Sequence, residues 1–173
     1  RQIAILKGVQ FATPAIALTP FSHFEPNTLA KLYAAPGGWF DLEEARKYLW
    51  ETTPRQLAPI AAWVTSEIAN PNNCYWQISA SGQPIGHIGL EFETGEGQGL
   101  SCNVTYFNGS LEHRGKGHVK TAAQILFDYM HQTMFARQIT TFVAETNEAS
   151  YRILLSCRPT HEYSGPGGNY FIF

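Results

Sequence analysis

Apolar and polar residues alternate along this chain with two periods, and the changes between them divide it into three parts. The first part has one strand and then helices: Ala15-Ile16-Ala17-Leu18-Thr19 alternates at period two, while Asn27 to Tyr33 and Leu42 to Trp50 repeat at helical spacing around the Pro36-Gly37-Gly38 break. A third helix, Ile60 to Ile68, turns Trp63 and Val64 toward a core. The period then shortens to two. Tyr75 to Ser79, a Ser81-Gly82-Gln83-Pro84 turn and Ile85 to Glu93 read as a hairpin, and the Gly95-Glu96-Gly97-Gln98-Gly99 loop, with no helix after it, joins the hairpin to a strand from Leu100 to Phe107. From Lys116, the apolar positions Val119, Ala122, Ala123, Leu126 and Met130 make one face of a helix. A strand from Ile139 to Ala144, a helix opening at Asn147, and closing strands Thr160 to Tyr163 and Asn169 to Phe173 complete the order. No linker or internal repeat interrupts it. The pattern predicts an α+β fold over residues 1–173, one domain with a mixed, mainly antiparallel central sheet flanked by helices.

Composition narrows the partners. At 173 residues the chain can bury a substantial core, and 44% hydrophobic with 15% charged residues is ordinary for a globular protein. The formal net charge is −2 and the isoelectric point near 6.3, so the broad basic field that favours nucleic acid or an anionic membrane is missing and neither is expected as a partner. Cys74, Cys102 and Cys157 stand far apart without a Cys-x-x-Cys pair, which points away from both a disulfide framework and a zinc site; no metal is expected. The opening Arg1 to Lys7 is too short and polar-flanked for a signal peptide, and no apolar run reaches the length of a membrane span, so a cytoplasmic location is expected.

Against that mildly acidic background one segment is rich in donors. Glu112-His113-Arg114-Gly115-Lys116-Gly117-His118-Val119 sets a glycine-opened basic turn against the start of the long apolar helix. Without Cβ atoms Gly115 and Gly117 let the backbone curl close to a ligand, and the free N–H groups and positive dipole end of the first helical turn suit a phosphate or pyrophosphate. A solvated basic turn that merely caps the helix is the alternative. Two phosphate loops are excluded: Ser110 replaces the first glycine of a P-loop and Gly117 its Ser or Thr, while Lys120 fills the third glycine position of the dinucleotide pattern.

What remains is Arg-x-x-Gly-x-small from Arg114 to Val119, which resembles the pyrophosphate loop of the GNAT acetyltransferase superfamily. Asn147-Glu148-Ala149-Ser150 resembles the Asn-x-x-Ser helix start that follows the fifth strand in the same superfamily. On its own physics Asn147 is a good N-cap, with Ser150 a turn later and Ile153 and Leu154 apolar. The resemblance covers nearly the full chain, as a single GNAT-like domain, and is nearest to the ribosomal-protein N-terminal acetyltransferase branch. Two positions depart from that branch: Val119 stands where Gly or Ala is usual, and Arg158-Pro159 where Gly-Phe closes the last helix.

The resemblance implies acetyl-CoA as acetyl donor, with Arg114, Gly115, Lys116, Gly117, His118 and Val119 around its pyrophosphate, the backbone of Val104 to Tyr106 along its pantetheine arm, and Asn147 and Ser150 at its reactive end. It also implies direct attack by a neutral primary amine, without a covalent intermediate, and Ser150 as hydrogen-bond donor to the departing thiolate. Glu91 is the first candidate for general base, with Glu93 beside it at strand spacing; His87, His113 and His118 qualify by chemistry, the last two lying on the cofactor side. Cys102 and Cys157 read as inert thiols. An acceptor amine, on a protein N-terminus, polyamine, amino sugar or antibiotic, would be shaped by Ala35 to Phe40 and Thr94 to Gly99, and Glu43, Glu44, Glu91, Glu93 and Glu96 would favour a cationic one. The protein is expected to act as a monomer or homodimer. A catalytically degenerate acetyl-CoA-binding or scaffold module is the alternative that Val119 and Arg158-Pro159 raise.

Overall fold

The computed structural model describes residues 2–47, 52–93 and 99–173. A short helix α1 (Gln2–Leu6) opens the chain, followed by β1 (Phe11–Ala12), β2 (Ala17–Pro20), α2 (Pro26–Tyr33), α3 (Glu43–Arg46) and α4 (Leu57–Ala69). Then come β3 (Asn73–Ala80), β4 (Gln83–Glu93), β5 (Ser101–Asn108), α5 (His118–Gln132), β6 (Gln138–Ala144), α6 (Glu148–Ser156), β7 (His161–Gly165) and β8 (Gly168–Ile172). The strands form one sheet in the order β1-β2-β3-β4-β5-β6-β8-β7. Every neighbouring pair is antiparallel except β5 and β6, which run parallel and are joined through α5.

Helices cover both faces of the first five strands' side of this sheet, and the residue pattern says why. On one face α2 and α4 bury Leu29, Ala30, Tyr33, Ile60 and Val64 over Tyr75 and Phe107. On the other, α1, α5 and α6 bury Leu6, Leu126, Met130 and Leu154 over Trp76, Ile78, Ile88 and Leu90. In α5 the predicted stripe Val119, Ala122, Ala123, Leu126 and Met130 is buried, joined by Phe127. Each such large aliphatic side chain withdrawn from water favours the fold by about 1.5–3 kcal/mol before entropy is counted.

The observed elements correct the sequence reading in several places. Ser81 and Gly82 both have positive φ, so the β3–β4 hairpin closes on two residues as type I′ geometry requires, and Gln83 and Pro84 belong to the strand instead of the turn. Within the predicted Leu42 to Trp50 helix, α3 spans only Glu43–Arg46, with residues 48–50 outside the described part. The glycine loop at 94–98, Glu96 included, also lies outside it. Two elements, α1 and β1, escape prediction because each is too short to show a period. Leu6 of α1 is nevertheless fully buried, which anchors the N-terminal turn to the main core.

Candidate active site

The parallel pairing of β5 and β6 is brief. Ser101, Cys102 and Asn103 pair with Gln138, Ile139 and Thr140, and there the register ends, although both strands continue. At the parting point a side chain replaces the ladder: Thr141 Oγ1 donates to the Val104 carbonyl over 2.9 Å, both residues being buried. Val104 therefore presents its backbone groups to β6, and strand periodicity gives Tyr106, two residues further, the same direction beyond the last pair. The sequence reading assigned the backbone from Val104 to Tyr106 to the pantetheine arm. The Val104 carbonyl has Thr141 as partner, and Tyr106 lies beyond the last β5–β6 pair.

At the end of β5 the chain enters the glycine turn. Gly115 and Gly117 both adopt left-handed φ, +72° and +79°, and a Cβ at either would meet nothing within 4 Å, so the turn is open as well as glycine-dependent. Gly117 is the N-cap of α5 and no side chain caps the helix, which leaves its first-turn N–H groups available. Thr121 donates from both its N–H and its hydroxyl to the Gly117 carbonyl, at 2.9 and 3.1 Å. Arg114 folds back, Nη2 donating to the Asn108 carbonyl at 3.3 Å, so it braces the loop to the strand it left. Lys116 is exposed. His113 is buried with Nδ1 2.9 Å from Ser110 Oγ, and its ring lies 5.7 Å from that of His118. Burial, then the nearby His113 and Lys116, lower the His118 pKa from the ordinary imidazole value.

Val119 lies in the first turn of α5. Its side chain is 4% exposed and belongs to the main core, so its bulk points away from the turn. Arg158 likewise accounts for the missing glycine: with φ of 59° it takes the left-handed conformation itself, its N–H bonding to the Leu155 carbonyl at the end of α6.

Across the splay, α6 begins as expected. Asn147 caps it, Oδ1 accepting from the Ser150 N–H at 3.1 Å. Ser150 is half-buried, and its hydroxyl is 2.5 Å from the Tyr106 hydroxyl, which also lies 3.3 Å from the Ser150 carbonyl. The sequence pattern pointed to Tyr106 for its backbone alone. Its side-chain role was nevertheless written in the alternation of β5, which puts Tyr106 on the α6 face with Cys102 and Val104.

On the opposite face Glu91 stands across from Asn103, the last β5 residue paired with β6. Tyr75 lies flat over Gly89, where a Cβ would come within 2.4 Å of the ring, and reaches Glu91 Oε1 with a 2.5 Å hydrogen bond. Burial and the neighbouring Glu91 raise the Tyr75 phenol pKa, which keeps it a donor. Glu93 is exposed. His87 is enclosed by Phe21, Tyr33, Trp63, Tyr75 and Phe107, its Nδ1 2.9 Å from the Tyr33 hydroxyl, so it is a core histidine and not a surface base. Glu43 and Glu44 are exposed, Glu44 pairing with Lys47 at 2.9 Å. Among the described residues no group of three or more His, Cys, Asp or Glu is arranged to hold a metal ion, and no helix is long and apolar enough to cross a membrane.

A family model for the acetyltransferase (GNAT) domain matches residues 21–158, and the chain belongs to this family. It is an acetyltransferase by that membership. No curated protein matches the chain. Solved structures with a similar fold include RimL, a ribosomal alpha-N-protein acetyltransferase in complex with coenzyme A, at a TM-score of 0.72 and 12% identity over 95% of this chain and 97% of that one. Campylobacter jejuni N-acetyltransferase PseH in complex with acetyl coenzyme A gives a TM-score of 0.64 and 14% identity, covering 91% of this chain and 97% of that one. A spermidine N-acetyltransferase SpeG chimera from Vibrio cholerae and hSSAT gives 0.62 and 14%, covering 91% of each. At these identities the neighbours bear on the fold, which they share along nearly its whole length.

Proposed function

We propose that residues 1–173 form one acetyl-CoA-binding domain that moves an acetyl group directly to a primary amine, on a protein N-terminus or a small molecule, in the cytoplasm. The observation that carries this reading is the β5–β6 splay, with the open Gly115 to Gly117 turn at one end and Ser150 on its wall. The residues fit the donor. First-turn N–H groups of α5 would hold its pyrophosphate, aided by Lys116 and His118, while the Tyr106 backbone would line the arm. Bound acetyl-CoA supplies a thioester carbonyl already activated toward an amine.

The chain's own groups then divide the work between the two faces of the sheet. Ser150, on the α6 face, offers a hydroxyl that donates to negative charge gathering on sulfur without carrying charge beforehand. Glu91, on the α2–α4 face, is held by Tyr75 as an acceptor for the proton that the attacking amine sheds. Activity is expected to rise with pH as the acceptor amine loses its proton. The RimL and SpeG names attach those neighbours to a ribosomal protein and a polyamine, which supports amine acceptors as a class. Free thiol release from acetyl-CoA, followed against N-terminal peptides, polyamines and amino sugars, tests the reading. Binding of acetyl-CoA with no release on any of these amines would replace it with a binding module without turnover.

A further inference from the structure

We infer that Tyr106 is a positioning residue that sets the direction of the Ser150 hydroxyl proton, through a two-acceptor geometry in which one phenol serves two states of the site. This rests on the reading of Ser150 as donor to the leaving sulfur.

Each hydroxyl carries one proton, and the observed distances permit two arrangements. In the closed one, Ser150 donates to the Tyr106 oxygen across 2.5 Å and Tyr106 donates to the Ser150 carbonyl across 3.3 Å. In the open one, Tyr106 donates to Ser150 Oγ, and the serine proton is free to turn away from the phenol toward the splay. Both arrangements leave the partly buried phenol with a partner, and the one group unpaired in the open arrangement is the hydroxyl proton of the half-buried Ser150. In the open arrangement the phenol also polarises the serine, because a hydroxyl that accepts a hydrogen bond donates a stronger one.

The surroundings hold the phenol to this task. Burial raises its pKa, so it stays protonated across the working range and never becomes acceptor-only; Cys157 is the other titratable group that acts on it. The Ser150 backbone cannot swing to compensate, since its N–H is tied to Asn147 Oδ1. No proton leaves either oxygen in the switch, which is a rotation about two C–O bonds.

The test places a reporter at the serine. In Ser150→Cys the thiolate occupies the position of the hydroxyl oxygen, and its ionisation is read from the pH dependence of alkylation by iodoacetamide, located by mass spectrometry at position 150. A phenol donating to sulfur stabilises the thiolate, so Tyr106→Phe in that background is expected to raise the midpoint by about one pH unit. An unchanged midpoint overturns the inference, as does a thiol that never reacts, because a group sealed from solvent does not face the splay. The reading beneath it is tested separately by Ser150→Ala. A lower kcat in that variant beside an unmoved thiol midpoint removes Tyr106 and keeps the donor, whereas an unchanged kcat with chemistry limiting turnover removes both.

Discussion

Thr141 stands one residue past the last paired position of β6 and gives its hydroxyl to the Val104 carbonyl at 2.9 Å, so a side chain ends the parallel ladder where a backbone N–H would have continued it. That exchange lets the strands part without leaving the buried carbonyl bare. Thr141→Val keeps the shape and removes the donor, and it is expected to cost about 1–3 kcal/mol of stability, the penalty for an unmet buried acceptor. The same variant should raise the KM for acetyl-CoA several-fold by loosening the mouth of the splay. Urea unfolding and initial rates check the two effects, and a variant equal to the parent in both would show that the splay is held by other contacts.

Gly117→Glu tests the turn directly. The parent residue has φ of +79° in open space, so the new side chain meets no neighbouring atom, costs about 1–2 kcal/mol of left-handed backbone strain, and carries negative charge to the helix end where an anion belongs. Acetyl-CoA binding should weaken at least about tenfold by calorimetry, corresponding to about 1.4 kcal/mol, with circular dichroism confirming the fold. Undiminished affinity in a folded variant would remove the turn from the donor site.

Arg158 supplies a prediction of opposite sign. A residue with a Cβ held at φ 59° pays about 1–2 kcal/mol for the left-handed conformation, a cost glycine avoids. Arg158→Gly should therefore stabilise the protein by about 1 kcal/mol, seen as a higher Tm, with little change in kcat.

This position also marks where the sequence was legible. The Arg114 to Val119 turn and the Asn147 cap were readable because local backbone chemistry, glycine and a capping amide, is written in adjacent residues. Arg158 and Val119 looked like defects because a pattern records identity and neither φ nor side-chain direction; one adopts the glycine conformation, the other turns into the core. The partners of Thr141, Tyr75 and the Tyr106 hydroxyl were not legible, since each acts on a residue at least 16 positions away; the alternation of β5 gives the face of Tyr106 but not the Ser150 it meets there.

His87 gives a pH dependence of stability whose sign can be worked out. Burial among aromatic rings lowers its pKa to about 4 in the fold, with Tyr33 and Tyr75 as the titratable side chains facing it. The unfolded imidazole takes a proton near pH 6.5, so between about 6.5 and 4 the unfolded chain binds more protons and stability falls as pH falls. His87→Gln abolishes this contribution. Between about pH 7.5 and about pH 5 the parent should lose roughly 2 kcal/mol more than the variant in urea titrations. Equal losses would mean that His87 is protonated in the fold or opens to solvent.

The kinetic order of the reaction follows from the thiols. An acyl-enzyme route needs a nucleophile that ionises near neutral pH, and burial pushes Cys74 and Cys102 up to about 12. Cys157, half-buried at the end of α6, is also raised, with the nearby Lys120 opposing the shift only in part. A thiol so disfavoured as thiolate is a poor intermediate carrier, and Ser150 has the Tyr106 phenol beside it instead of a base. Direct transfer should therefore show sequential kinetics, with initial-rate lines that intersect when both substrates are varied and coenzyme A released only when the amine is present. Parallel lines, together with an acetylated Cys157 trapped by mass spectrometry and lost in Cys157→Ser, would establish a covalent route in its place.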